Sequence, residues 1–288
     1  MKVFYSDRQS VSENASFSPS AGKPRRLVEQ WLRRYPIELI EPVPVTVEEL
    51  SSAHDPEYVR EVLACRRHNG FSNTSREIAD SLPYTTGSLV SAVRHVVENG
   101  GAACSPTSGF HHACYGSGGG FCTFNGLMVA AMLVREKVKR VGILDCDFHY
   151  GNGTDDIIAR KRLDFVAHHT TGKSDHDPEQ FLRELPAILR NMKADVLIYQ
   201  AGADAHRDDP LGGWMSSEQM RRRDRIVFEH CKANKVPVAW NLAGGYQEAF
   251  QNVLDLHHAT MEECLAVFEP ARRPENPPGA GMLEGIWP

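Results

Sequence analysis

At 288 residues with 41% hydrophobic content, the chain is long enough to bury a substantial core in one or two domains. A net charge of −5 argues against a broadly basic nucleic-acid-binding surface, and no run approaches the roughly 18 consecutive apolar residues of a membrane span. Seven cysteines without a CxxC pair fit a reducing compartment, and the opening residues Met1 to Arg8 carry no apolar signal core, so a cytoplasmic protein is expected.

In chain order, Lys2 to Tyr5 reads as a short first strand, and the Ser-, Asn- and Pro-containing stretch from Ser6 to Pro24 as a loop that can form a site rim. Leu27, Val28, Trp31 and Leu32 make one apolar face of a helix over Arg25 to Tyr35. Ile37 to Ile40 is a second short strand. Thr46 with Glu49 matches a capping box, and Pro56 suits the first turn of the helix that follows His54. Gly70 to Tyr84 is polar and punctuated by Gly and Pro, which predicts a surface loop. Gly87 to Asn99 is helical and is ended by Gly100 and Gly101. Asn125 to Lys137 reads as a buried helix. Val141 to Leu144 is an apolar strand that runs into a polar cluster. Beyond it, a helix starts at Thr154, and Asp164 to Ala167 is a strand with His168 and His169 after it. Pro178 to Asn191 is helical. Asp195 to Gln200 is a buried strand, Ser217 to Ala233 a helix, Val236 to Leu242 a strand and Gln247 to Phe268 a helix. The densest basic run, Arg221 to Arg225, is expected on a solvated helix face. Strands alternating with helices predict an α/β fold with a mostly parallel sheet and helices on both faces. Residues 1–268 would form one domain, and the proline-rich residues 269–288 a wrapped or flexible tail.

Chemistry concentrates behind three of these strands. After Leu144, polar side chains recur at Asp145, Asp147 and His149, which in extended chain share one side. Such a cluster either holds a divalent ion or caps the next helix. Ligands of parallel sheets bind beyond the carboxyl ends of the strands, where Asp204 and the Gly244-Gly245-Tyr246 turn also fall. Asp147, His149 and Asp204 would supply three ligands and leave positions open for water and substrate. His111 and His112 offer a titratable base near neutral pH. Asp145 and Asn152 can each orient one imidazole, and Tyr246 can donate a hydrogen bond to a developing oxyanion. Gly118, Gly119 and Gly120 allow close backbone approach, but no Lys-Ser/Thr follows them as in a phosphate loop.

The motifs Gly109-Phe110-His111-His112-Ala113, Gly120-Phe121-Cys122, Leu144 to Gly153, Gly202-Ala203-Asp204-Ala205-His206, Asp209-Pro210-Leu211-Gly212 and Ala243-Gly244-Gly245-Tyr246 resemble the histone deacetylase family. Their order and spacing match from about residue 54 to 258, and Gly22 to Arg26 is similar to that family's N-terminal element. The resemblance implies an arginase/deacetylase-type fold and hydrolysis of an N-acyl amide. Asp147, His149 and Asp204 match the zinc ligands (Fe²⁺ is an alternative ion), His112 the acid/base, His111 its neighbour paired with Asp145, and Tyr246 the carbonyl-binding tyrosine. Gly120, Phe121, Gly244 and Gly245 match substrate-lining positions. Asn152, where some members carry Asp, resembles the class II branch and its bacterial relatives. A structural potassium ion is also implied, at a site that often uses a Ser hydroxyl near the position of Ala167.

The departures bear on substrate. Thr170 to Asp175 lacks the aromatic residue that walls the acyl-lysine tunnel opposite the Phe121 position, and Gly70 to Tyr84 shows no match for the acidic residue that grips a peptide backbone. An acyl-lysine peptide, an acetylpolyamine and a biosynthetic amide all stay open as the N-acylated amine. A binuclear manganese hydrolase would need carboxylates that the positions around Asn152 and His206 do not supply. A catalytically silent acyl-binding member would have no need of both His112 and Tyr246 beside three ligands.

Overall fold

A computed structural model of the chain describes residues 1–11, 18–173 and 177–269. Strands β1 (Lys2–Phe4), β2 (Glu38–Ile40), β3 (Ala102–Ser105), β4 (Val141–Asp145), β5 (Val166–Thr170), β6 (Val196–Gly202) and β7 (Val238–Ala243) form one sheet. Every pair is parallel, and the spatial order is β2-β1-β3-β7-β6-β4-β5. The helices are α1 (Lys23–Arg34), α2 (Val47–Ser51), α3 (Pro56–Leu63), α4 (Arg76–Asn99), α5 (Gly126–Val134), α6 (Asn152–Lys161), α7 (Pro178–Met192), α8 (Ser217–Asn234) and α9 (Phe250–Phe268). The doubly covered parallel sheet expected from the alternation of elements is what forms.

Side-chain alternation along the strands separates two cores. Val196 and Ile198 of β6 face the layer of α2 to α6, whereas Leu197 and Tyr199 face α1, α7, α8 and α9. Strands β4, β6 and β7 are buried at every position. Their near-continuous apolar runs are the mark of strands covered on both faces.

Three expectations need correction. Gly70 to Tyr84 is a loop only as far as Ser75, whose hydroxyl accepts from the Ile78 amide and starts α4. Pro83 lies inside that helix. It removes one donor, but Ile78, Leu82, Leu89 and Val93 bury a continuous apolar face, and this packing outweighs the local break. Strand β3 was not evident in the sequence: Ala102-Ala103-Cys104-Ser105 has no β-branched residue, and pairing with β1 and β7 on both sides makes it a strand. His168 and His169 lie within β5 rather than after it. The tail over 270–288 and part of the predicted rim loop, residues 12–17, fall outside the described residues.

The basic run of α8 is not simply a solvated face. Arg222 pairs with Glu179 of α7, while Arg221 and Arg225 both pair with the buried Glu263 of α9. Arg223 is buried outright. Its Nε donates to Asp224, and its Nη1 donates to the carbonyls of Gly202 (3.0 Å) and Cys146 (3.4 Å), where β6 and β4 end. Removing one partner of a buried, hydrogen-bonded ion pair leaves the other uncompensated, at a cost of about 3 kcal/mol or more. Arg223→Met is therefore expected to lower unfolding stability by ~3 kcal/mol. Urea titration checks this, and an unchanged midpoint would show that Arg223 does not brace the strand ends.

Candidate active site

The carboxyl ends of β3, β7, β6 and β4 lie side by side, so the loops leaving them meet at one edge of the sheet. Strand β4 stops at the fully buried Asp145, and the chain then bends. Asp145 Oδ1 accepts from the Asp147 amide (3.2 Å), and Asp147 Oδ1 accepts from the His149 amide (2.9 Å). These local side-chain-to-backbone bonds are what short Asp side chains offer a turn. The expected single row of Asp145, Asp147 and His149 is thereby divided. Asp145 turns to His111, while Asp147 and His149 turn to Asp204.

Asp147, His149 and Asp204 each offer a ligand atom, and these atoms lie within 4.8 Å of one another. His149 Nδ1 is 2.9 Å from Asp204 Oδ2 and 3.1 Å from Asp147 Oδ1. The Phe148 amide steadies Asp204 Oδ1 at 3.1 Å. Burial, reinforced by the Asp147 carboxylate, pushes Asp204 up to about 8. Two buried carboxylates facing one imidazole call for a positive charge between them, which a divalent cation would supply. A nitrogen and carboxylate oxygens suit Zn²⁺ or Fe²⁺. The residues therefore fit such an ion. Among the described residues this is the one such cluster, and His206, whose Nε2 lies 2.9 Å from Ser217 Oγ, is engaged elsewhere.

The two histidines of the loop after β3 have different partners. His111 Nδ1 lies 2.7 Å from Asp145 Oδ2, and His111 Nε2 lies 3.6 Å from Asp147 Oδ1. Burial opposes its protonation, but Asp145 and Asp147 outweigh burial and raise His111 to about 9. His112 Nδ1 lies 2.6 Å from Asn152 Oδ1, a neutral acceptor. Burial and the neighbouring His111 push the His112 pKa down. The rings are 4.0 Å apart, and that of His112 is 5.9 Å from that of His149. The start of α6 fixes this loop, with the Gly153 and Thr154 amides donating to the His111 carbonyl at 2.9 and 3.1 Å.

Tyr246 faces the same space, with its ring 6.5 Å from His149 and 5.8 Å from Phe121. Burial pushes its phenol up, so it remains a donor. Its amide donates to Asp209 Oδ2 at 2.7 Å, which ties the turn to the loop after β6. Gly244 has φ +48°, and a Cβ there would lie 2.3 Å from the Asp204 carboxyl carbon. Gly120, at φ +53°, lies against the His112 ring, while a Cβ on Gly245 would meet Val253. Gly245 thus serves the turn by closing it on α9. Phe121 also touches Phe71 at 5.8 Å between ring centroids. Of the Thr170–Asp175 loop, residues 174 and 175 lie outside the described residues.

Some contributors escaped the sequence reading. Lys23 of α1 is fully buried and donates through Nζ to the Gly244 carbonyl. Burial lowers its pKa to about 8. The only signal was its place in the Gly22–Arg26 segment. Gln200 donates to Asp145 Oδ1 at 3.0 Å from within an apolar-looking strand. The cysteines near the site are poor nucleophiles: burial raises Cys122 and Cys114 above their ordinary range and Cys146 to about 12.

Comparison with known proteins leads in the same direction. The family model described as the histone deacetylase domain matches residues 21–176 and 167–262. A probable deacetylase of Archaeoglobus fulgidus is 26% identical over 286 residues, covering 83% of this chain and 78% of that protein. An acetylpolyamine amidohydrolase of Burkholderia pseudomallei is 29% identical over 151 residues, 41% of this chain and 44% of that protein. Among solved structures, the HDA15 HD domain superposes with a TM-score of 0.76 at 21% identity, covering 92% and 91% of the two chains.

The Gly244 geometry gives a direct test. Gly244→Ala is expected to displace the Asp204 carboxylate and weaken Zn²⁺ binding by about tenfold or more, because an L side chain at positive φ is strained and the added methyl occupies the carboxylate's place. Titration with a competing chelator measures this, and wild-type affinity would contradict the placement.

Proposed function

Because the chain belongs to the histone deacetylase family, a family of hydrolases, we propose that it is a metal-dependent deacylase that removes acetyl or other short acyl groups from N-acylated amines. One observation carries the reading: a two-carboxylate, one-imidazole cluster lies beside two histidines with separate partners and within reach of a protonated tyrosine. Residues 1–268 are the catalytic unit in this proposal.

Asp147, His149 and Asp204 would hold the ion, Zn²⁺ or alternatively Fe²⁺. When bound, such an ion supplies Lewis-acid polarisation of the substrate carbonyl and acidifies a water. Asn152 accepts a hydrogen bond from His112 Nδ1, which leaves Nε2 free to take the proton of the attacking water. His112 then returns that proton to the departing amine. Asp145 favours the protonated form of His111, which adds fixed positive charge beside the reacting centre. Tyr246 donates its hydroxyl hydrogen bond to the oxygen on which charge develops. Phe121 lines the approach for the acyl-bearing chain. The substrate is an acyl-lysine peptide or a small acylated amine such as an acetylpolyamine.

Amine release from a matched panel tests the reading: acetyl-lysine peptide, longer acyl-lysine peptides and acetylated polyamines, each with and without a hydroxamate chelator. Hydroxamate-sensitive release is expected from one class, and Tyr246→Phe is expected to reduce kcat by about 10²-fold with the metal content retained. Silence of metal-loaded protein across the panel would overturn the assignment.

The neutral partner of His112 makes a second prediction. An anionic partner stabilises imidazolium, so Asn152→Asp raises the pKa of His112. Because the base works when neutral, the acid limb of the kcat/KM profile should move to higher pH by about one unit. An unmoved limb would remove His112 from the role of base.

A further inference from the structure

The Asp145 carboxylate has a neighbour that the proposed chemistry does not use. His168 lies in β5, paired in register with Ile143, and its side chain is 3% exposed. Its Nδ1 lies 2.7 Å from Asp155 Oδ1, and its Nε2 points at Asp145 Oδ2 from 3.9 Å. That Nε2 is buried and has no hydrogen-bond partner. Asp155 in turn accepts from the Tyr150 hydroxyl at 2.6 Å. An imidazole thus sits between two carboxylates, one of them wholly buried.

The groups around this carboxylate already have other partners. Ala167, near which a hydroxyl ligand was expected, packs into the opposite core, the one that holds α7. Gln200 Nε2 already donates to Asp145 Oδ1, and the Thr171 hydroxyl donates to the Asp147 carbonyl at 2.6 Å. The Gly151 backbone closes the remaining space: a Cβ there would lie 2.6 Å from Asp145 Oδ2 and 3.2 Å from His168 Nε2.

We infer that His168 is a built-in cation that takes the place of a monovalent ion, balancing Asp145 and so holding His111 in position, and that the protein therefore needs no potassium. Burial opposes protonation of His168, yet Asp145 and Asp155 outweigh burial and raise its pKa above the ordinary value. His168 acts through Asp145 and His111 and is a positioning residue.

The test compares KCl with tetramethylammonium chloride at equal ionic strength, using thermal unfolding of the metal-loaded full chain as the main readout and turnover as the second. Unfolding requires no substrate, so failure of the deacylase reading would leave this test intact. The wild type is expected to show the same Tm in both salts, within about 1 °C, since a protein without the site gains nothing by ion binding. His168→Ser opens the space and removes the charge. It should lose stability in tetramethylammonium and recover by several degrees in KCl, with about tenfold recovery of turnover. His168→Gln removes the charge but not the bulk, and should be weakened in both salts. A wild-type Tm that rises by about 5 °C with KCl would overturn the inference. So would a His168→Gln variant with wild-type stability and turnover.

Discussion

Three carboxylates, those of Asp145, Asp147 and Asp204, are buried at one edge of the sheet, and the rest of the site exists to make their burial tolerable. An isolated buried carboxylate neutralises itself by taking a proton. Here each is supplied with donors: the Asp147, Phe148 and His149 amides, the Gln200 amide, and the imidazoles of His111 and His149. This concentration of negative charge could hold a divalent ion, and it is flanked by one histidine whose pKa is raised and another whose pKa is lowered. The difference between those two histidines lies in one atom of their partners: a carboxylate oxygen for His111, an amide oxygen for His112.

Much of this was legible in the chain. Long apolar runs named the central strands, and polar residues placed just past Leu144, Gln200 and Leu242 marked where those strands end. The parallel architecture then brought the three sets together. What was not legible came from context rather than local pattern. β3 is a strand because two neighbours pair with it, not because Ala-Ala-Cys-Ser favours extension. The helix through Pro83 persists because its apolar face is buried. Arg223 sits among arginines in the sequence but faces inward, toward the carbonyls that end β4 and β6. Lys23 precedes the Gly244 turn by 221 residues, so no local pattern could join them. A one-residue difference in strand facing separates Ala167 from His168, and period-two alternation makes that difference decisive.

In the proposed reading, substrate choice and chemistry are structurally separate. The reacting groups are held by strand ends and by the start of α6, which are buried and hydrogen-bonded. Phe121 and Phe71 belong to loops, where sequence can change without disturbing buried charge.

The sheet order also sets a schedule for synthesis. β7, the last described strand in chain order, lies between β3 and β6 at the middle of the sheet. Until residues 238–243 emerge from the ribosome, β3 and β6 each present an unpaired inner edge, and the sheet is two separate halves. Exposed apolar edges of that kind invite pairing with other chains. The last described strand joins the two halves and leads into the turn that carries Tyr246.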